Sequence, residues 1–395
     1  MTKKKVHLYI LLFAVTYMVS YLTRINYGAI ISAMETQTGF SKDSLSMALT
    51  GSFITYGAGQ VVSGVLGDRF SPKKLVSGGL AVTVVMNMLL PFCGSPWFMC
   101  AVWCVNGFAQ SFMWPPLVRI MSSLLDQKDY RIATVRVSWG SSVGTILLYL
   151  VSPLILMFLP WKWVFWICAG CGGVMLIIWH FAAPEIPTAL QSGETEKKQS
   201  GGLFSPLMLV IMAAIVLMGM LKDGVTTWMP TYISETYALG DQISILSGVL
   251  LPLFSIFCFS AASWIYGWKM KNPVTCAALF FAVGAAAALG LYFLNGTGVI
   301  SSALLAALLT GTMHGVNLML ISMIPNFFKA RGNVSAVSGA LNACTYVGSA
   351  ISAYGVARLS ESIGWNSTIF VWFLIAFGGM GLCLVCIPGW KKKFS

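Results

Sequence analysis

Long apolar runs, with few charges inside them, limit what this chain can become more than any other feature. Twelve such runs lie near 8–33, 45–66, 75–94, 98–125, 134–158, 162–183, 206–233, 242–266, 274–294, 299–325, 334–357 and 366–388. A helix needs about 20 mostly apolar residues to cross the hydrocarbon core of a bilayer. Inside that core every backbone N–H and C=O needs an internal partner, so runs of this length must be helical. Of the 395 residues, 57% are hydrophobic and 9% are charged, where a soluble domain carries roughly 25% charged residues. The expectation is an all-α membrane protein with twelve transmembrane helices. The opening "MTKKKVH" looks like the start of a signal peptide. The run behind it is too long for one and lacks a small-residue cleavage site, so it is expected to remain as the first span.

The polar breaks are short. The tightest are "GDRFSPKK" (67–74), "DQKDYR" (126–131), "GWKMKNP" (267–273) and "KARGN" (329–333). With the N-terminus inside, the inner segments hold 17 Lys and Arg, while the outer segments hold three: Lys42, Lys162 and Arg358. Basic residues accumulate on the cytoplasmic side. Both termini are therefore expected in the cytoplasm and the chain in the cell's inner (plasma) membrane. In a soluble protein the net charge of +12 would suggest nucleic acid. Here the charge sits in membrane loops, and no nucleic-acid partner is expected.

A stretch rich in Pro, Gly, Ser and charge, "APEIPTALQSGETEKKQSGGLFSP" (183–206), divides the chain. It predicts a six-helix bundle over 1–183, a cytoplasmic linker over 184–205 and a second bundle over 206–395. The halves echo each other. "SSVG" ends at Gly144 and Trp161 follows, while "TYVG" ends at Gly348 and Trp365 follows; both pairs are offset by 204 residues. Internal repeats of this kind mark transporters that hold their substrate near the bilayer midplane.

Charges within the spans are the candidates for function. A charged side chain there costs about 2.5–3.5 kcal/mol on insertion scales and usually faces a cavity. Arg24, in "YLTRINYG", and Lys222 lie at similar depths in the first and seventh spans. Two cations with few carboxylates to neutralise them predict an anionic substrate. The competing readings are an Arg24 that snorkels to the outer headgroups and a Lys222 that pairs with Asp223. Neighbouring residues on a helix diverge by about 100° and pair poorly. Asp223 either balances local charge or relays a coupling proton. His314 either meets substrate or bonds a backbone carbonyl, and Asn317 lies on nearly the same face. Asn26, Tyr27, Tyr56, Gln60 and Ser141 are further candidates to line a cavity. Tyr21 is another, although most tyrosines in spans merely pack. Pro115 and Pro116 should bend the fourth span, and Trp114 beside them either borders the cavity or packs. Arg119 and Arg136, near the cytoplasmic ends of their spans, read as gate or lipid-facing charges, with Asp68 or Asp126 as partners.

Nothing in the sequence suggests an enzyme. It holds no phosphate-cradling Gly loop followed by Lys-Ser/Thr, no His and carboxylate spacing for a metal and no serine elbow with triad partners. The C-x-x-C pairs Cys168–Cys171 and Cys383–Cys386 lie in apolar runs and read as small packing residues. No cofactor or metal is expected, and transport would draw on gradients.

"GVLGDRFSPKK" (64–74) resembles the loop signature of the major facilitator superfamily, in which an Asp and basic residues lock helices at the inner surface. That resemblance implies a gating role for Asp68 and Arg69. "YLTRINYG", "NGFAQSFMWPPLVRIM" (106–121), "KDGVTTWMPTYI" (222–233) and "NVSAVSGALNACTYVGSAIS" (333–352) are similar to the organophosphate:phosphate antiporter family. The resemblance covers nearly the whole chain. It implies two pseudo-symmetric six-helix bundles, alternating access, and exchange of a sugar or glycerol phosphate for inorganic phosphate. In that family a basic residue on each of helices 1 and 7 binds the phosphoryl group, which falls on Arg24 and Lys222 here. Lys222 stands where an arginine is usual, Gln60 where the glycerol phosphate carriers have lysine, and Ser141 where they have histidine. A proton-coupled symporter of a carboxylate and a non-transporting sugar-phosphate receptor remain open beside the exchanger. By analogy with such carriers, a monomer is expected.

Overall fold

The computed structural model describes residues 2–186, 205–237 and 241–394. Residues 187–204, most of the expected linker, lie outside the described residues. All regular structure among the described residues is helical. In chain order the helices are α1 (Lys3–Ala29), α2 (Ile31–Thr38), α3 (Lys42–Arg69), α4 (Pro72–Leu89), α5 (Pro96–Gln110), α6 (Trp114–Leu124), α7 (Gln127–Phe158), α8 (Lys162–Ala182), α9 (Pro206–Tyr237), α10 (Asp241–Trp268), α11 (Pro273–Phe293), α12 (Val299–Asn317) and α13 (Val334–Phe394).

Local chemistry starts these helices where the polar breaks end. Ser71, Ser95 and Asn272 each accept a hydrogen bond from a first-turn amide, and each precedes a proline. A proline in the first turn gives up an amide that has no helical partner anyway. Asp126 caps α7 by accepting from Asp129 N at 2.7 Å.

Ten stretches among the described residues are long and apolar enough to cross a membrane. Two expected runs differ in detail. The run at 98–125 is two helices, α5 and α6, separated at 111–113. Pro115 and Pro116 lie just beyond the break and supply no amides to close the turn. The run at 45–66 is the single helix α3, but it is too rich in Gly, Ser and Thr to count among the ten. The last two runs are two helices within α13 that meet at Gly364, whose φ of 76° is a left-handed conformation suited to glycine. Large apolar side chains point outward, among them Phe158 (84% exposed) and Phe181 (82% exposed). Acyl chains are the natural neighbours of such a surface, and the chain is a multi-pass membrane protein.

The helices form two compact units. One joins the described residues up to 186 with 328–343, and the other joins 205–327 with 344–394. In the first, Tyr27, Trp103 and Phe165 are fully buried at the centre of an apolar cluster. Gly144 of α7 brings its helix close to α1, and a Cβ there would stand 2.7 Å from the carbonyl oxygen of Met18. In the second unit, a Cβ on Gly348 of α13 would overlap the carbonyl oxygen of Val216 on α9. Small residues let helix backbones approach in this way within lipid, where apolar burial gives no net drive.

Candidate functional site

The two glycine contacts calibrate the repeat. Arg24 lies six residues after Met18, and Lys222 lies six residues after Val216. Each cation therefore sits at the same height above an equivalent glycine crossing within its own unit.

In the first unit, Arg24 is half-buried. Its guanidinium carbon stands 4.2 Å from the ring centroid of Tyr21 and 4.7 Å from that of Tyr56. Both distances are within reach of the attraction between a cation and an aromatic face. The aromatic wall continues from Tyr21 to Tyr17 at 5.3 Å and from Tyr17 to Trp114 at 5.1 Å. Trp114 is buried, and its Nε1 finds no acceptor among the described residues. Arg24, Tyr56 and Trp114 thus belong to one cluster spanning α1, α3 and α6. Tyr17 and Tyr21 complete it.

Asn26 and Tyr27 turn elsewhere. Asn26 is fully buried and donates to Asn87 Oδ1 at 2.8 Å. Tyr27 is fully buried, donates to the carbonyl of Leu45 at 3.1 Å and packs on Trp103. Their place is in the packing of the unit. Sequence reasoning missed the group that holds this turn. Asn87 donates to the carbonyl of Thr23 at 3.0 Å, Asn106 donates to the same carbonyl at 3.2 Å, and Gln110 donates to Thr23 Oγ1 at 2.9 Å. These buried amides from α4 and α5 clamp the turn that carries Arg24. The signal was present in the sequence as three amides inside apolar runs, where an unpaired polar group is costly.

Gln60 is fully buried as well. It accepts from Asn342 Nδ2 at 3.0 Å and donates to the carbonyl of Ser111 at 3.4 Å. Ser141 donates within its own helix to the carbonyl of Ser138 at 2.7 Å. Asp68 Oδ1 and Oδ2 accept from the amides of Ser335 and Ala336 at 3.0 and 2.8 Å, at the first turn of α13. A carboxylate is favourable there because the first-turn amides lack helical partners and carry positive partial charge. Arg119 Nη1 lies 3.7 Å from Asp68 Oδ1 and donates to the carbonyl of Gly67 at 2.5 Å. Arg69 and Arg136 are exposed. The Arg119–Asp68 pair was one of the partnerships expected.

In the second unit, Lys222 Nζ stands 3.0 Å from Asp223 Oδ1. Adjacent helix positions diverge, but the four-carbon stem of lysine is long enough to swing across. Ser349 Oγ donates to Asp223 Oδ2 from α13. His314 Nδ1 lies 2.9 Å from the carbonyl of Thr310 and 3.2 Å from Ser255 Oγ. A carbonyl only accepts, so Nδ1 carries the proton and Nε2 is left as an acceptor. The His314 ring meets Phe259 edge-on at 5.4 Å and is within electrostatic reach of Lys222 and Asp223. Asn317 is half-buried at the end of α12, where the helix widens into a π-helical turn over Leu318–Met323. Among the described residues no group of His, Cys, Asp and Glu has the makings of a metal site.

The chain is 25% identical over 382 residues to a glycerol-3-phosphate transporter of Bacillus subtilis, covering 88% of this chain and 84% of that protein. It is 24% identical over 401 residues to the membrane sensor protein UhpC of Salmonella typhimurium, covering 93% and 89%. Among solved structures, the human organic anion transporter MFSD10 superposes with a TM-score of 0.76 at 13% identity, covering 96% of this chain and 99% of that one. At that identity the likeness speaks for the fold alone. The model of the Major Facilitator Superfamily matches residues 13–353. With a family model over most of its length and helices fit to span a bilayer, the chain belongs to the Major Facilitator Superfamily, a family of transporters and not of enzymes.

Proposed function

We propose that the protein is a secondary active transporter of a small phosphorylated organic anion, a sugar or glycerol phosphate, exchanged for inorganic phosphate by alternating access. The observation that carries this reading is the pair of cations, Arg24 and Lys222, at equivalent heights on repeat-related helices. Arg24 and Lys222 are the side chains this reading assigns to the phosphoryl group. Arg24 offers a planar fork suited to two phosphoryl oxygens, and Lys222 offers a point charge. The Trp114 indole N–H and the His314 ring supply further polar contacts. Anion binding that is tighter in one access state than in the other biases the equilibrium between them. The relative named as a glycerol-3-phosphate transporter supports this substrate class. The protein works as a monomer in the inner membrane with both termini in the cytoplasm, an orientation supported by the 17-to-3 distribution of basic residues.

The test uses purified protein in liposomes loaded with labelled phosphate. External glycerol phosphate or hexose phosphate is expected to trigger efflux, and Arg24→Ala is expected to abolish it while leaving insertion intact. Wild-type efflux from that variant would overturn the assignment. The Lys222–Asp223 pair favours a second reading, proton-coupled symport of a carboxylate. Uptake driven by an imposed pH gradient, and lost in Asp223→Asn, would select it. Binding of a sugar phosphate without turnover would select the receptor.

A further inference from the structure

The Lys222–Asp223 pair has a consequence for which anions the protein accepts. Lys222 lies at the height that makes it a ligand for the anionic head, yet its ammonium stands 3.0 Å from Asp223 Oδ1. Ser349 Oγ holds the other oxygen of that carboxylate from α13, and the Ser349 hydroxyl also lies 2.9 Å from the carbonyl of Thr345. The carboxylate is thus engaged through both oxygens and stays at the ammonium's side. The pair is half-buried, with side-chain exposures of 15% for Lys222 and 34% for Asp223, so water screens it only in part. His314, which lies within electrostatic reach of the pair, spends its Nδ1 proton on the Thr310 carbonyl.

We propose that Asp223 sets the charge of the accepted head group, so that the protein selects singly charged anions over doubly charged ones. This inference rests on the reading that Lys222 touches the anionic head. The Lys222–Asp223 pair is neutral as a unit. A phosphate monoester at neutral pH carries about −1.5 to −2 charges. Its second charge would sit against the anchored carboxylate with no cation of its own on this helix. A head with one charge shares the ammonium at less cost: a sulfate ester, a carboxylate, a phosphodiester or a singly protonated phosphate. Like charges a few ångströms apart in a partly buried site repel by enough to change affinity at least about tenfold.

The experiment compares two esters of identical skeleton and different charge. Hexose phosphate and hexose sulfate, and glycerol phosphate and glycerol sulfate, are titrated onto purified protein in lipid nanodiscs. At about pH 8 the phosphate ester is doubly ionised, and the sulfate ester keeps one charge. The readout is the affinity ratio of sulfate to phosphate within each protein, which cancels any loss of active fraction. The wild type is expected to favour the sulfate ester. Asp223→Asn keeps the shape and the Ser349 contact and removes the charge, and it is expected to shift the ratio at least about tenfold toward the phosphate ester. Asp223→Ser is a second neutral variant, expected to shift the ratio the same way. An unchanged ratio in a neutral variant that still binds, or a wild type that favours the phosphate ester, would overturn the inference alone. Failure of the wild type to bind any of the four esters would overturn the proposed function and the inference with it.

Discussion

The guanidinium carbon of Arg24 stands 4.7 Å from the centre of the Tyr56 ring and 4.2 Å from that of Tyr21. Tyr56 is buried and belongs to α3, so a second helix fixes where the charge of α1 points. Replacing Tyr56 with Leu is expected to remove about 0.5–2 kcal/mol of attraction, which raises the apparent substrate constant roughly two- to thirtyfold. Tyr56→Phe keeps the ring face and is expected to stay near wild type. Concentration-dependent exchange in liposomes reads both, and equal behaviour of the Leu and Phe variants would count against the ring contact.

The amide clamp on Thr23 makes a prediction about stability. Asn87 donates to two carbonyls, those of Thr23 and Thr83, at 3.0 Å each, and accepts from Asn26. Asn87→Leu leaves the buried Asn26 amide without its acceptor, a loss of about 1–3 kcal/mol, and takes away one of the two side-chain donors to the Thr23 carbonyl. The melting temperature in detergent should fall clearly. A melting curve matching wild type would show that the clamp bears little load.

Asp68 predicts a local effect. Its two oxygens cap the first turn of α13 through the Ser335 and Ala336 amides. Asp68→Ala removes a cap worth about 1 kcal/mol, so those two amides should exchange with deuterium several-fold faster. Amides further along α13 should change little. Equal protection at Ser335 in both proteins would argue against the cap.

The glycine crossings predict matching sensitivity in the two units. A Cβ at Gly348 has no room beside the Val216 carbonyl, and one at Gly144 has little beside that of Met18. Valine at either site must push two helices apart, costing about 1–3 kcal/mol or more. Both variants are expected to melt earlier than wild type, with Gly348→Val the more severe. Tolerance of valine at both positions would remove the structural basis for equating Arg24 with Lys222.

What the sequence by itself determined was the membrane character, the helical class and the two cations within the spans. These are properties of local composition. A long apolar run has no other way to satisfy its backbone in lipid, and a charge inside such a run stands out without any knowledge of its neighbours. The repeat was legible too, because Gly144 and Gly348 keep their spacing to Trp161 and Trp365. The tertiary structure decided which polar residues face which partners. Asn26 finds Asn87, 61 positions away, and Gln60 finds Asn342, 282 positions away. Tyr27 and Tyr56 read alike in sequence, yet one packs on Trp103 and the other on Arg24. Lys222 and Asp223 pair across a helical step that spacing disfavours, with Ser349 of another helix holding the carboxylate. Contacts of this kind depend on how helices cross, and a crossing is set by the packing of two surfaces that no single stretch of sequence contains.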